Sequence, residues 1–404
     1  MIHRTTFAFS PKILAAAVLM VMLVSGASAQ SERIIYSFTG GSDGGYPYGG
    51  VISDANGNLY GTTFGGGAYD GGTVFELTPN SGGTWNETVL FSFSYNGTGG
   101  ASPSSGLVFD SKGNLYGLTL FSTPGAGAIF ELSPGANGIW TEKILYTFTG
   151  GSDGSAPFSA SLVLDRSGNL YGITPNGGTY GLGTVFELVA GSNGAWTKKV
   201  MHNFSGGNDG ANPYGETLTL DAAGNVYGTA LGGGLYDYGV VFELVRGSNG
   251  NWTERVLHAF TGTSDGSATL GGVVFDAAGN LYGNSSYSVF QLTPGSNGTW
   301  TEKTLHTFTG GRDGANPASA VTFDKNGKIY ATTSAGGVHR GTVYQLTPGA
   351  NGTWTEAILH KFTSGGDGLY PGFAGLVVGA NGHLHGTTNQ GGASNNGVVF
   401  EVIP

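Results

Sequence analysis

Between residues 106 and 148 the apolar positions fall into four short runs. They are "GLVFD" (106–110), "NLYGLT" (114–119), "AIFEL" (128–132) and "WTEKILYTF" (140–148). Each is rich in β-branched and aromatic residues, and each is bounded by Gly, Asn, Asp, Ser or Pro. That combination predicts β-strands joined by tight turns. Beyond residue 29 no stretch repeats its apolar positions at helical spacing.

The four runs recur along the chain. Aligned on the element "GNLYG", the copies place Tyr60, Tyr116, Tyr171, Tyr227, Tyr282, Tyr330 and His385 at one position. The intervals are 56, 55, 56, 55, 48 and 55 residues. Seven copies of a four-strand unit predict an all-β, seven-bladed β-propeller with four antiparallel strands per blade. The ends of the chain fit a closed ring. The seventh copy stops after its third run, "GVVFEV" (397–402), while "RIIYSF" (33–38) matches "KILYTF" (143–148) of a fourth run. Residues 33–38 are therefore expected to form the outer strand of blade seven. The six Trp (85, 140, 196, 252, 300 and 354) mark the other six outer strands. Lys, Arg and Glu gather on these strands, as expected of charge that protects an exposed edge.

Composition narrows the class. Of 404 residues 77 are Gly, 10% are charged and 12% are aromatic. Glycine without a three-residue period excludes collagen, and the aromatic content excludes simple disorder. At the N-terminus, Arg4 and Lys12 precede the apolar run "ILAAAVLMVMLV" (13–24) and the A-x-A site "ASA" (27–29). This reads as a secretory signal peptide over residues 1–29, leaving 30–404 as one propeller. Its apolar run is shorter than the ~20 residues of a membrane-spanning helix. A secreted, periplasmic or cell-surface location is expected, with no membrane span after cleavage. The absence of cysteine removes thiol catalysis and Cys–zinc sites. The formal charge of −10 becomes −12 without the leader, which disfavours nucleic acid and anionic membranes as partners.

The units "GLVFDSKGNLYG" and "GTVFEL", with "WTEKILYTFTGGSDG" between copies, resemble the Gloeo/Verruco tandem-repeat family of secreted bacterial proteins. The likeness covers residues 31–404. It brings no catalytic residue with it. Members often carry a sorting or anchoring tail. The chain ends at "VVFEVIP" without one, and the resemblance then implies free release. The D-x-x-G-N-L-Y element also resembles NHL and gluconolactonase-type propeller repeats, although any D-x-x-G hairpin in a propeller produces that likeness.

Comparison among the seven copies sorts the candidate residues. The Asp closing the first run (Asp54, Asp110, Asp165, Asp221, Asp276 and Asp324, with Gly379 in the last copy) fits ordinary hairpin chemistry. The third-run Glu exchanges with Gln291 and Gln345, so it suits hydrogen bonding between strands rather than acid–base catalysis. His202, His258, His306 and His360 align with Tyr36, Phe91 and Tyr146, which points to packing rather than metal ligation. Asp43, Asp153, Asp209, Asp265, Asp313 and Asp367 sit in the "GGSDG"-type loop that crosses from one blade to the next. Thr98 replaces the Asp in one copy, and Thr269 replaces the following Pro in another. These carboxylates suit an Asx-turn. The alternative is a ring of calcium or polyol ligands. No other cofactor is expected.

The loop between the second and third runs opens on the same face as the crossing loop. Aromatic and His side chains gather there: Tyr69, Tyr180, Tyr236 and His339 on the loop tips, and Tyr48, Phe158 and Tyr214 on the crossings. Loops on a rigid scaffold are where binding residues concentrate. The expected function is thus a monomeric binding or scaffold module for an extracellular glycan or protein. A glycan lyase or hydrolase using the loop Asp residues, with or without calcium, is the alternative. A structural matrix or surface component is a third. No H-E-x-x-H, G-x-S-x-G or phosphate-loop motif occurs.

Overall fold

A computed structural model describes residues 31–404 except 98, 159, 215–217, 338–339, 364 and 372–374. The leader at 1–29, Thr98 and His339 lie outside the described residues.

Seven antiparallel sheets form a seven-bladed β-propeller. In blade three, inner strand Val163–Leu164 is followed by Leu170–Thr174, Thr184–Ala190 and outer strand Trp196–Asn203. The other blades repeat this order, and blade two adds a short strand, Ala101–Pro103, beside Leu115–Phe121. Blade seven is built from both ends of the chain. Ser31–Ser37 pairs antiparallel with Val398–Ile403, from Ser31 opposite Ile403 to Ser37 opposite Val398. No described helix is long and apolar enough to cross a membrane.

The core is a closed circuit of aromatic pairs. The last apolar residue of each outer strand meets the third-strand ring of the next blade edge-to-face. Phe148 meets Phe186 at 5.4 Å, Phe204 meets Phe242 at 5.3 Å and Phe362 meets Phe400 at 5.2 Å. The circuit closes through Phe38 and Phe75 at 5.1 Å, so the seam between blades seven and one packs like every other. Edge-to-face geometry suits the ring quadrupoles. Hydroxyls add clasps between blades. Thr62 Oγ1 donates to the Ser105 carbonyl (2.9 Å), Thr332 Oγ1 to that of Pro371 (2.8 Å), and Thr387 Oγ1 to that of Gly49 across the seam (3.0 Å).

The glycine after Tyr in "GNLYG" has a packing reason. Gly172 lies opposite Phe186 in the ladder, and a Cβ there would stand 2.5 Å from Phe186 Cζ. In blade six Ala331 replaces the glycine. Its partner is Tyr344, whose hydroxyl reaches Asn284 of blade five at 2.9 Å. Gly172→Ala is expected to cost about 1–3 kcal/mol by overpacking, measured as a lower urea midpoint with unchanged slope.

The ladder part of the inner strand is shorter than its apolar run suggests. Only two residues per inner strand pair in six blades. Blade five differs. Thr269 stands where other crossings have Pro, and its inner strand extends over Ala268–Phe275, with Ala268 opposite Ser285. Proline removes a ladder donor.

Candidate functional site

The crossing loops and second-to-third loops share one face, as expected. Each crossing loop that carries the Asp is held by it. Asp153 Oδ2 accepts from the Thr149 amide (2.9 Å) and the Tyr146 hydroxyl (2.9 Å), and its Oδ1 accepts from Thr149 Oγ1. Asp43 repeats this arrangement with Thr39 and Tyr36. Asp209 uses Ser205 and His202, and Asp265 uses Thr261 and His258. Asp313 and Asp367 accept from the backbone and hydroxyl of Thr309 and Thr363. Partial burial alone would raise Asp153, but these hydrogen bonds outweigh it and hold the carboxyl below its ordinary value. Tyr36 and Tyr146 interchange with His202 and His258 on the outer strand because either can present a hydrogen to this Asp. The copy with Thr98 in place of Asp carries Phe91, which has nothing to donate. Among the described residues no group of three or more His, Asp or Glu could hold a metal ion.

The second-to-third loop is fastened onto its own crossing loop. Gly67 N–H donates to the Gly41 carbonyl (2.8 Å), Gly178 to Gly151 (3.0 Å) and Gly234 to Gly207 (2.8 Å). This close approach requires glycine at 66: φ is +71°, and a Cβ would fall 2.8 Å from the Gly41 oxygen. The tips are therefore preorganised turns rather than flexible glycine loops.

Those tips carry large exposed side chains. Tyr69, Tyr180 and Tyr236 are 65%, 60% and 52% exposed. Phe121, Tyr238, Leu235, Tyr46 and Tyr95 are also exposed. Among the described residues, eight of the ten exposed large hydrophobics lie on this face, and all eight belong to blades one to four, on loops or, for Phe121, at a strand end. Tyr48, Phe158 and Tyr214 are half-buried where the crossings enter the inner strands. Tyr48 meets Phe158 at 5.7 Å across blade two, where the equivalent residue is the small Ser104, and Phe158 meets Tyr214 at 6.3 Å. The inner strands enclose a channel of about 600 Å³ lined by Ile52, Val108, Val163, Leu220 and Val377.

On the opposite face the repeated polar residues hold hairpins. Asp54 Oδ1 accepts from the amides of Asn56 and Asn58, both at 2.9 Å, and Tyr60 donates to Glu76 Oε1 at 2.8 Å. In blade five Gln291 donates to the Tyr282 hydroxyl (2.7 Å), which explains the Glu/Gln exchange. Blade seven substitutes Gly379, His383 and His385. Glu401 there accepts from Arg33 (2.7 Å) and lies 2.9 Å from His383 Nδ1.

The outer-strand charges correct the sequence reading. They are not all edge protection. The Glu of "WTE" turns into the groove between blades, where Glu32 faces Asp367, Glu87 faces Asp43, Glu254 faces Asp209 and Glu356 faces Asp313. Burial pushes these four and Glu142 up to about 7. One oxygen of each is buried without a hydrogen-bond partner among the described residues. In blade three the position is Lys198, pushed down to about 8 by burial, with Nζ 5.1 Å from the Phe186 ring. The neighbouring cations are latches: Lys143 Nζ donates to the Gly194 carbonyl (3.0 Å), Lys303 to Gly352 (2.6 Å) and Arg33 to Gly83 across the seam (2.8 Å). Nothing in a single copy reveals this groove, because its far wall belongs to the preceding blade and the crossing loop that leaves it.

Fold and face together define a tandem-repeat propeller with its variable side chains on one loop surface. Residues 22–188, 123–289 and 284–404 each match the Gloeobacter/Verrucomicrobia repeat. The chain belongs to that family. No match is found among curated proteins. Among solved structures the chain is similar to the extracellular domains of the two-component systems BT3049 and BT4673 from B. thetaiotaomicron. The TM-scores are 0.55 and 0.56, at 15% and 11% identity. Both likenesses cover 92% of this chain, which spans 41% and 39% of those chains. They support the fold alone.

Proposed function

We propose that the protein is a non-enzymatic binding or scaffold propeller of the extracellular or periplasmic space. It recognises an extracellular glycan or protein through its crossing-loop face. Tyr69, Tyr180 and Tyr236 are the rim contacts, and Tyr48, Phe158 and Tyr214 form the inner arc. The observation that carries this reading is that, among the described residues, the exposed aromatic side chains are confined to one face, where turns are fixed by backbone hydrogen bonds. The carboxylates that a hydrolase would need are each engaged by donors in or beside their own loop. The location rests on the leader-like N-terminus and on the extracellular nature of the solved neighbours.

The combined variant Tyr69→Ala/Tyr180→Ala/Tyr236→Ala is expected to keep its Tm within about 2 °C, since surface changes cost little. It is expected to lose at least about tenfold in affinity for a partner found by glycan array or pull-down. A variant that binds as the wild type does would overturn the reading. So would a wild-type protein that only self-associates, which is the matrix alternative. The Tm is expected to be equal in EDTA and in calcium. A rise of several degrees in calcium would restore the loop carboxylates as metal ligands.

A further inference from the structure

We infer that the ligand of this face is a neutral glycan, met by the exposed aromatic rings of blades one to four. The inference rests on the binding reading above and narrows it.

Three of the rings are copies of one device. Tyr69, Tyr180 and Tyr236 each precede a left-handed residue: Asp70 (φ 58°), Gly181 (φ 76°) and Asp237 (φ 63°). In each turn that residue's amide donates back to a glycine carbonyl, Gly67, Gly178 or Gly234, at 3.2–3.4 Å. Blade two supplies Phe121 from the end of strand Leu115–Phe121, beside Tyr95 at 6.0 Å. Tyr69, Tyr180 and Tyr236 make no ring contact with one another among the described residues. They are separate platforms repeated from blade to blade, not one fused apolar patch. Separate rings suit a ligand that is itself a chain of repeated units.

Charge selects the class of chain. The crossing and second-to-third loops of blades one to four contain no Lys or Arg. The two arginines on this face, Arg312 and Arg340, belong to blade six, and Arg340 is bonded to the Tyr370 hydroxyl at 2.8 Å. The cation nearest these loops, Lys198, is half-buried in the groove with its Nζ bonded to the Asp153 carbonyl at 2.6 Å, so an anionic polymer would find no Lys or Arg on the loops of the aromatic half. The exposed polar groups beside the rings are Asp70 and Asp237, the latter with its Oδ1 already accepting from the Gly233 amide at 3.0 Å; their remaining carboxylate oxygens are acceptors suited to hydroxyl donors. Aromatic faces with hydroxyl-seeking carboxylates match uncharged sugar rings, whose C–H faces are apolar and whose edges donate.

Blade seven offers a constructive test. Its loop has the same turn, with Ser394 exposed before the left-handed Asn395 (φ 58°) and Asn395 N–H donating to Gly392 at 3.3 Å. It lacks only the ring, and it adjoins blade one. The experiment is affinity electrophoresis of the full chain in gels containing β-glucan, galactomannan or xylan, against alginate and a sulfated polysaccharide. The wild type is expected to be retarded by at least one neutral glycan and by neither anionic one. Tyr69→Ala, Tyr180→Ala and Tyr236→Ala should each weaken retardation about three- to tenfold, and Ser394→Tyr should strengthen it about threefold. Retardation that the Tyr variants leave unchanged overturns the inference, and so does retardation by the anionic polymers alone. An inert Ser394→Tyr overturns the repeated turn as a ring-bearing platform. A protein partner lost in the Tyr variants, with no neutral glycan bound, overturns the glycan and leaves the binding reading standing. The absence of any partner overturns both.

Discussion

A chain lacking residues 31–38 is expected to lose its cooperative unfolding transition, with a fall in Tm of more than about 15 °C or outright insolubility. The deleted strand covers the whole length of Val398–Ile403, so its loss leaves an unpaired edge on blade seven. It also removes Phe38, fully buried against Phe75, and that side chain alone is worth about 3–5 kcal/mol. Glu401, 4% exposed in the intact ring, loses its Arg33 partner. The sum is comparable to the ~5–15 kcal/mol that holds a typical domain folded. Differential scanning calorimetry of the truncated chain checks this, and addition of a peptide spanning 31–38 should restore part of the transition. A truncated chain that melts as the full chain does would show that the ring is held without its seam.

The second large effect is a loss of stability on the alkaline side that belongs to the grooves between blades. Burial pushes Glu32, Glu87, Glu142, Glu254 and Glu356 up to about 7, against 4.5 for an unburied glutamate. A carboxyl with a raised folded-state pKa holds its proton more tightly folded than unfolded. Its contribution is therefore full below about pH 4.5 and fades as pH rises through 7. Each groove is partly open to solvent, so screening reduces the effect to about 1 kcal/mol per Glu. Burial lowers His202, His306 and His360, which oppose the trend by losing stability as pH falls below their ordinary value. Variants that share these histidines isolate the carboxyls. Glu142→Gln should match the wild type at pH 5 and exceed it by about 1 kcal/mol at pH 8.5. The fivefold Gln variant should gain about 5 kcal/mol at pH 8.5, seen as about 5–10 °C in Tm, and nothing at pH 4.5. An equal gain at both pH values would mean that packing, not protonation, is responsible.

The ring was legible because the repeat states it seven times and because the unmatched runs at 33–38 and 397–402 complete each other. The rim residues were legible as positions on one face. Their restriction to blades one to four follows from the same alignment once exposure is known. The link between Asp43-type residues and the outer-strand Tyr or His was also present in the copies, in the joint appearance of Phe91 and Thr98. The grooves were not legible. A Glu two residues after Trp on an outer strand looks solvated in any one copy. It becomes buried only when the preceding blade and its crossing loop are placed beside it. The inner strands were overestimated for a similar reason. Their apolar residues line the channel and pack between blades, and only two per blade pair in the ladder in most blades.

The offset between repeat and blade has a consequence for how such proteins change size. Each repeat in the chain begins with the strand nearest the axis, and the ring is completed by a lone outer strand from the opposite end. The seam uses the same Phe pair, hydroxyl clasp and cationic latch as the internal boundaries. Unequal recombination that removed or duplicated one whole repeat would leave both halves of that seam intact. Ring circumference is then free to drift by whole blades, with the joint inherited unchanged.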